Sequence, residues 1–243
     1  MKQPHLLCTA RDINKHCIIV GKTERVLEVV KQLENSRKVS DNRGYLVYNG
    51  DYNRLPITVC STGIGGPSAA IVIEELINCG AKVIIRVGSG GVLDKKINTG
   101  DLIISTGVCK EEKATTAYVP EGFACVPDFD VTNSLINSAI NSGHKFFYGI
   151  TMCTDAFYAL SHHKQMIEWS KKGVIGSEME SSMLFTITQL RGVKAGLIFY
   201  AGLNIMKKQT HKDILRQASQ RAEGERNAIK VALNAFKKLE EVN

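Results

Sequence analysis

The chain has 243 residues, of which 44% are hydrophobic and 23% charged, and its formal net charge is +7. This length and composition fit one large α/β domain with a substantial core, so we predict a single domain over residues 1–243. The basic residues are interleaved with acids instead of forming one run, which argues against nucleic acid as a partner. No apolar run approaches the roughly 20 residues that a membrane span needs, and we expect no membrane association.

The seven cysteines are scattered along the chain. They form no Cys-x-x-Cys pair and no Cys/His spacing typical of zinc, so we predict no metal site. An odd number of scattered cysteines is typical of reduced thiols. We therefore expect a cytoplasmic protein, and the mixed polar sequence at the start predicts no cleaved signal.

Short β-branched runs alternate with longer segments of helical pattern through the first half of the chain. A strand at residues 17–20 precedes a helix at 24–35, and two strands then flank an Asn49-Gly50 turn. A strand at 57–61 leads through a glycine-rich turn into a helix at 68–78. Strands at 82–87 and 101–106 follow.

The second half continues the alternation with helices at 131–142, 178–190 and 213–241 and strands at 146–151 and 194–201. We find no repeat, low-complexity stretch or linker that would divide the chain. This order predicts an α/β fold, a single-domain α/β/α sandwich whose central sheet is mixed and twisted.

Two glycine-rich segments, residues 63–68 and 88–91, follow strands and are candidate anion sites, because backbone N–H groups and helix N-termini attract anions. The first reads G-x-G-x-x-S, but Arg86 stands near the position where a dinucleotide fingerprint needs an acid. A cation there favours phosphate over NAD, although a purely structural tight turn stays open. Gly21-Lys22-Thr23 resembles the end of a P-loop, but His16 replaces a required glycine, which excludes a nucleotide triphosphatase.

A pair of acids, Glu178 and Glu180, lies at a predicted helix start. The structural interpretation is that two acids at this place interact favourably with the helix dipole. A carboxylate is also the group that can accept hydrogen bonds from two neighbouring ribose hydroxyls. Both interpretations stay open on these residues alone.

Four short segments occur in a characteristic order and at characteristic distances: residues 61–68 (STGIGGPS), 85–89 (IRVGS), 155–158 (DAFY) and 177–181 (SEMES). Together they resemble the nucleoside phosphorylase-I family, and within it uridine phosphorylases more than hexameric purine nucleoside phosphorylases. The similarity extends from Pro4-His5 to the last helix. It implies an enzyme, a pentosyltransferase, that uses inorganic phosphate as co-substrate and no cofactor to split a nucleoside into free base and ribose 1-phosphate.

The resemblance implies a phosphate site made of one subunit's backbone, hydroxyl and cationic groups and one arginine of its neighbour: Gly21, Arg25, Arg86, Ser89 and the neighbour's Arg43. Guanidinium groups match phosphate oxygens bidentately, so several arginines around one oxyanion make chemical sense. Taken singly, Arg25 or Arg43 would be interpreted as part of a surface salt bridge. Arg86 and Glu180 are the expected catalytic residues.

By the same resemblance, Met179 and Glu180 would hold the ribose, with His5 of the partner subunit approaching the 5′ hydroxyl. Phe157 would stack on the base, since an aromatic face suits a heterocycle. Without the resemblance, His5 would be interpreted as a mobile terminal residue and Phe157 as ordinary core.

The residues that would recognise the base depart from both groups of relatives. Hexameric purine enzymes place an aspartate after the late strand, where this chain has Asn204, which the resemblance makes a candidate base-binding residue. Uridine phosphorylases use a Gln and an Arg after the Phe-Tyr motif, where Ser161, His163 or Gln165 are the available substitutes, unless all three are solvated loop residues. We predict uridine or a related pyrimidine nucleoside as substrate, with a purine nucleoside as the alternative.

Two further departures concern phosphate and assembly. Lys22-Thr23 replaces the usual Asp-Pro of the first phosphate turn, and Gly44 replaces the acid that follows the inter-subunit arginine, which removes support for a metal ion. A site completed across subunits implies a homo-oligomer, at least a dimer, with a hexamer suggested by the resemblance. A hydrolytic nucleosidase and a nucleoside-binding protein with little turnover are the remaining alternatives.

Overall fold

The structure, a computed structural model, describes residues 1–207 and 211–242. One mixed sheet carries all the strands: β1 His16–Val20, β2 Glu34–Asn42, β3 Tyr45–Tyr52, β4 Leu55–Ser61, β5 Val83–Val92, β6 Leu102–Glu111, β7 Phe146–Thr154, β8 Gly176–Glu178 and β9 Lys194–Asn204. The helices are α1 Thr23–Val30, α2 Gly66–Asn78, α3 Phe129–Ser142, α4 His162–Lys171, α5 Ser181–Arg191, α6 His211–Arg216 and α7 Ala218–Val242. No described helix has both the length and the hydropathy needed to cross a membrane.

The strand order is β2-β3-β4-β1-β5-β8-β7-β6-β9, and β9 also pairs with β5. Five strands, β5, β8, β7, β6 and β9, therefore close into a ring at one end of the sheet. β1 runs parallel to both β4 and β5, whereas β2, β3 and β4 form an antiparallel edge. The predicted mixed sheet is confirmed.

Apolar side chains cover both faces of the central strands. In β1, Cys17 and Ile19 point into a core that α2 and α5 cover, while Ile18 and Val20 point into a second core under α1, α3 and α7. Phe185 and Phe236 are fully buried, one in each core, and burying such a side chain stabilises the fold by about 1.5–3 kcal/mol. Helices on both faces make the predicted α/β/α arrangement.

The glycine-rich segment at 88–91 lies inside β5, so the prediction that it follows the strand is wrong. A Cβ on Gly90 would lie 2.5 Å from the carbonyl oxygen of Ser177 and 2.7 Å from the ring of Phe199. Glycine is needed here because β8 and the Phe199 ring approach the strand closely where the ring of strands closes.

The antiparallel edge was predicted poorly. The helix expected at 24–35 ends at Val30, and the polar, largely exposed segment 34–42 forms β2 instead. Gly50 lies inside β3, and the turn comes at Asn53-Arg54, where both residues have positive φ. Asn49 is buried, donating to the carbonyl oxygen of Asp12 at 2.9 Å and accepting from Thr58, and this pairing holds it in the strand.

Three later boundaries also differ from the prediction. The helix expected from Glu178 begins at Ser181, because Glu178 ends the short strand β8. The segment after Ser161 forms α4 and is not a loop. The expected last helix is divided into α6 and α7.

Candidate active site

The parallel strands β1 and β4 end side by side against β5, which continues to Val92, and this places the first predicted site residues. Val20 is in register with Ser61 on β4 and with Val87 on β5. Gly21 after β1, the 62–65 loop after β4 and Ser89 within β5, two residues beyond Val87, therefore lie at one edge. Ligands in open α/β sheets bind outside the carboxyl ends of the strands, so this edge is the candidate site.

Arg25 is buried in the first turn of α1 and faces this edge. Its Nε donates to Glu225 Oε1 at 2.6 Å, and its Nη2 lies 3.4 Å from Ser89 Oγ and 3.3 Å from the hydroxyl of Tyr200. The guanidinium also lies over the Tyr200 ring. The structure thus brings Arg25 and Ser89 together, as the phosphate-site prediction requires.

Arg86 is buried on β5 between two carboxylates. Its Nε donates to Glu178 Oε2 at 3.0 Å and its Nη2 to Glu180, while Nη1 has no hydrogen-bond partner among the described residues. Burial alone would lower the pKa of Arg86, but the attraction of Glu180 and Glu178 outweighs it and the pKa is raised. The site therefore contains a permanent cation whose Nη1 keeps both N–H groups unpartnered among the described residues.

Glu180 connects this cation to the glycine-rich loop. One of its carboxylate oxygens accepts from the backbone N–H of Gly65 at 2.7 Å and the other from Arg86. Burial raises the pKa of Glu180, an effect that Arg86 opposes and Glu178 reinforces. Met179, half-buried, stands between the two acids.

Within a single chain, His5 is paired with Glu75 and Arg43 is exposed. His5 Nδ1 lies 2.6 Å from Glu75 Oε1, and its backbone N–H donates to the same carboxylate. This histidine lines a cavity of about 410 Å³ between α2, α5 and residues 114–118. Arg43 is exposed in the β2–β3 turn with φ +54°. Their expected contribution to a partner's site stays a prediction.

The candidate base-binding residues near α4 are largely exposed. The Phe157 side chain is 58% exposed, and its ring lies 5.0 Å from that of Tyr158 and 5.8 Å from that of His162. Ser161 immediately precedes α4 and His163 lies in its first turn, both exposed. An exposed aromatic ring is available for stacking, so the alternative interpretation of Phe157 as core is wrong.

Asn204, in contrast, is buried, and its side-chain amide is hydrogen-bonded to backbone groups of other residues. Its Nδ2 donates to the carbonyl oxygens of Asp94 and Ile97 at 2.9 and 2.7 Å, and its Oδ1 accepts from the backbone N–H of Met206. Three hydrogen bonds fix this amide to the 94–97 segment. A contact with the base would require some of them to break, and the predicted role of Asn204 in base binding stays a prediction.

The model of the phosphorylase superfamily matches residues 15–236. The chain belongs to the phosphorylase superfamily. A guanosine phosphorylase of Halorubrum lacusprofundi is 33% identical over 96% of this chain and 98% of the relative. A uridine phosphorylase of Treponema pallidum is 34% identical over 97% of this chain and 93% of the relative. The crystal structure of uridine phosphorylase from Vibrio fischeri has a TM-score of 0.93 at 32% identity, covering 98% of this chain and 97% of that one.

Membership of the phosphorylase superfamily confirms the family resemblance, but the sequence did not reveal the acids that hold the site together. Glu178 fixes Arg86, Glu225 fixes Arg25 and Glu75 fixes His5. The sequence did offer a signal for Glu178, because this acid lies two positions before the predicted site residue Glu180. Glu225 had none, because it stands 200 positions from its arginine on the last helix.

Proposed function

We propose that this protein is a nucleoside phosphorylase, which transfers the ribose of a nucleoside to inorganic phosphate and releases the free base. Two pairs carry this proposal: Arg25 lies beside Ser89, and Arg86 lies beside the carboxylate of Glu180. Arg86 and Ser89 lie three residues apart on β5. Such a cluster suits an oxyanion held next to a hydroxylated ligand. Relatives over nearly the full length of the chain are a guanosine phosphorylase and uridine phosphorylases.

Phosphate is held by the arginines, Ser89 and the backbone at Gly21, with Arg43 of a neighbouring subunit completing the site. The unpartnered Nη1 of Arg86 and the long contacts of Arg25 Nη2 are the groups available to the oxyanion. Fixing phosphate on one side of the sugar orients it for attack as the base leaves.

Glu180, together with Met179 and His5 of a partner subunit, holds the ribose. A carboxylate accepts from the 2′ and 3′ hydroxyls at once. As the bond to the base breaks, positive charge develops at the sugar carbon. Glu180 and the bound phosphate, both anionic, stabilise that charge electrostatically in a site shielded from water.

The proposed base is uracil or a related pyrimidine. No acid occupies position 204, and the Asn204 amide already binds backbone groups, so the chain has no group there to protonate a purine. Phe157 stacks on the base, and Ser161 and His163 at the start of α4 supply polar contacts. A purine nucleoside is the second candidate, favoured by the guanosine phosphorylase relative at 33% identity.

The proposed assembly is a homo-oligomer, at least a dimer, because in its own chain His5 is paired with Glu75 and Arg43 is exposed. The proposed location is the cytoplasm. All seven cysteines are free thiols, six of them buried, as expected in a reducing compartment.

The first experiment measures free base released from uridine, thymidine, inosine, guanosine and adenosine, each with and without inorganic phosphate. Phosphate-dependent cleavage of uridine is expected. Phosphate-independent release would instead establish a hydrolase, and binding without turnover a nucleoside-binding protein.

Glu180→Gln tests the proposed ribose contact. The variant should lower kcat at least about 100-fold, a loss of about 2.7 kcal/mol of transition-state stabilisation, because a neutral amide stabilises the cationic sugar less. The phosphate-dependent rise in Tm should persist. The matched control is Glu168→Gln, which changes an exposed glutamate paired with Lys171. Unchanged turnover in Glu180→Gln would exclude the role.

A further inference from the structure

Lys22 and Arg25 share one buried carboxylate at the edge of the proposed phosphate site. Glu225 on α7 is 8% exposed, and its Oε1 accepts from Arg25 Nε at 2.6 Å. Its other oxygen, Oε2, lies 3.4 Å from Lys22 Nζ. Lys22 directly follows Gly21 and its side chain is 48% exposed, so it closes this carboxylate off from solvent on one side.

The pairing with Glu225 gives Arg25 a defined orientation. With Nε bound by the carboxylate, Nη2 is turned toward Ser89 and Tyr200, and Nη1 lies 3.4 Å from the carbonyl oxygen of Val87. A guanidinium is planar, so fixing one edge fixes the direction in which the remaining N–H groups point. Glu225 therefore orients the guanidinium of Arg25.

The same carboxylate has an electrostatic drawback for an anion site. A negative charge next to Arg25 repels an incoming phosphate and cancels much of the attraction of the arginine, and this effect is strong where water is excluded. The ammonium of Lys22 on the second oxygen offsets that negative charge. With Lys22 the three side chains carry one net positive charge, and with a neutral residue at position 22 they would carry none.

We propose that Glu225 and Lys22 are positioning residues for phosphate: Glu225 orients Arg25, and Lys22 neutralises Glu225 so that the charge of Arg25 acts on the oxyanion. This inference rests on the proposed phosphorolysis. It also accounts for the lysine at position 22, where the family that the chain resembles usually has an aspartate. An acid there, together with Arg25 and Glu225, would give the three side chains a net negative charge.

The test compares Lys22→Met with Lys22→Arg and with the control Lys31→Met, a lysine at the other end of α1 that pairs with exposed Glu28. Lys22→Met should raise the KM for phosphate about fivefold, equivalent to about 1 kcal/mol. Its kcat and its KM for the nucleoside should stay within about twofold of the wild type, since only phosphate binding is affected. Lys22→Arg should restore the wild-type value, and Lys31→Met should have no effect.

A double-mutant cycle separates action through Glu225 from direct contact with phosphate. In a Glu225→Gln background, which keeps an acceptor for Arg25 but removes the charge, Lys22→Met should change the KM for phosphate by less than about twofold. The same fivefold effect in both backgrounds would mean that Lys22 binds phosphate itself and would overturn the proposal. An unchanged KM in the single variant Lys22→Met would overturn it without the cycle.

Phosphate binding is also measured directly, as the rise in Tm with increasing inorganic phosphate. Lys22→Met should need about fivefold more phosphate for the same rise. If the wild type shows neither this rise nor phosphate-dependent cleavage, the proposed function itself fails. If the wild type shows both and Lys22→Met does not differ from it, only the inference about Lys22 fails.

Discussion

Replacing Glu178 by alanine should destabilise the protein and inactivate it through Arg86. The carboxylate of Glu178 is buried and accepts from Arg86 Nε at 3.0 Å. It also accepts from the backbone N–H groups of Glu180 at 3.1 Å and Ser181 at 2.9 Å, and from the Ser181 hydroxyl. Alanine removes all of these contacts.

The magnitude follows from the groups left behind. Breaking a buried ion pair by removing one partner costs about 3–5 kcal/mol. Each buried N–H that loses its acceptor costs about 1–3 kcal/mol, but Glu180 still balances part of the Arg86 charge, and the contributions are not additive. We therefore expect a loss of roughly 4 kcal/mol, which lowers the Tm of a domain of this size by roughly 10 °C.

Thermal unfolding followed by circular dichroism measures this loss, with Glu178→Gln and Glu121→Ala as comparisons. Glu178→Gln keeps acceptors for the backbone N–H groups and should recover part of the Tm, but it should not recover kcat, because the charge that holds Arg86 is gone. Glu121 is exposed and pairs with Lys113, so its removal should have little effect. A fall in Tm of less than about 3 °C in Glu178→Ala would refute the assigned role.

The remaining predictions concern pH and the base. Burial lowers the pKa of His16 below 6.5 although Glu240 lies nearby, so the unfolded chain binds a proton that the folded chain does not. Stability should fall as pH decreases below about 6.5, and His16→Gln should flatten the dependence of Tm on pH; parallel curves would contradict this. Asn204→Asp should lower Tm, because an acid would face the carbonyl oxygens of Asp94 and Ile97, and it should not increase inosine cleavage relative to uridine; such an increase would place residue 204 at the base.

The sequence predicted the central strands because their residues are buried on both faces. β1, β5 and β9 are runs of aliphatic residues bounded by polar or glycine-rich segments, and both cores need such runs. β2 lacked this signal, because its residues, ENSRKVSDN, are mostly exposed and, among the described strands, it pairs only with β3. Periodicity reports burial, and a strand without burial leaves no pattern to detect.

The candidate site, like the sheet, was predicted from the sequence only in part. Arg86 and Ser89 lie in a short motif on β5, and Arg25 follows a strand end, so local sequence was enough to nominate them. The partners that orient them come from distant positions: Glu178 is 92 residues from Arg86, and Glu75 is 70 residues from His5. Only the closed arrangement of β5, β8 and α5 makes the first of these contacts, and no spacing rule indicates it.

A common principle connects these distant acids to the proposed chemistry. An isolated guanidinium is too costly to bury, and a carboxylate partner compensates the charge while fixing the plane of the group. The partner also weakens the attraction for phosphate, so a working site needs N–H groups that the partner does not use. Arg86 keeps Nη1 unpartnered among the described residues, and Arg25 turns the edge with Nη2 toward Ser89. Phosphate can therefore bind without breaking the pairs to Glu178 and Glu225, and little rearrangement has to be driven.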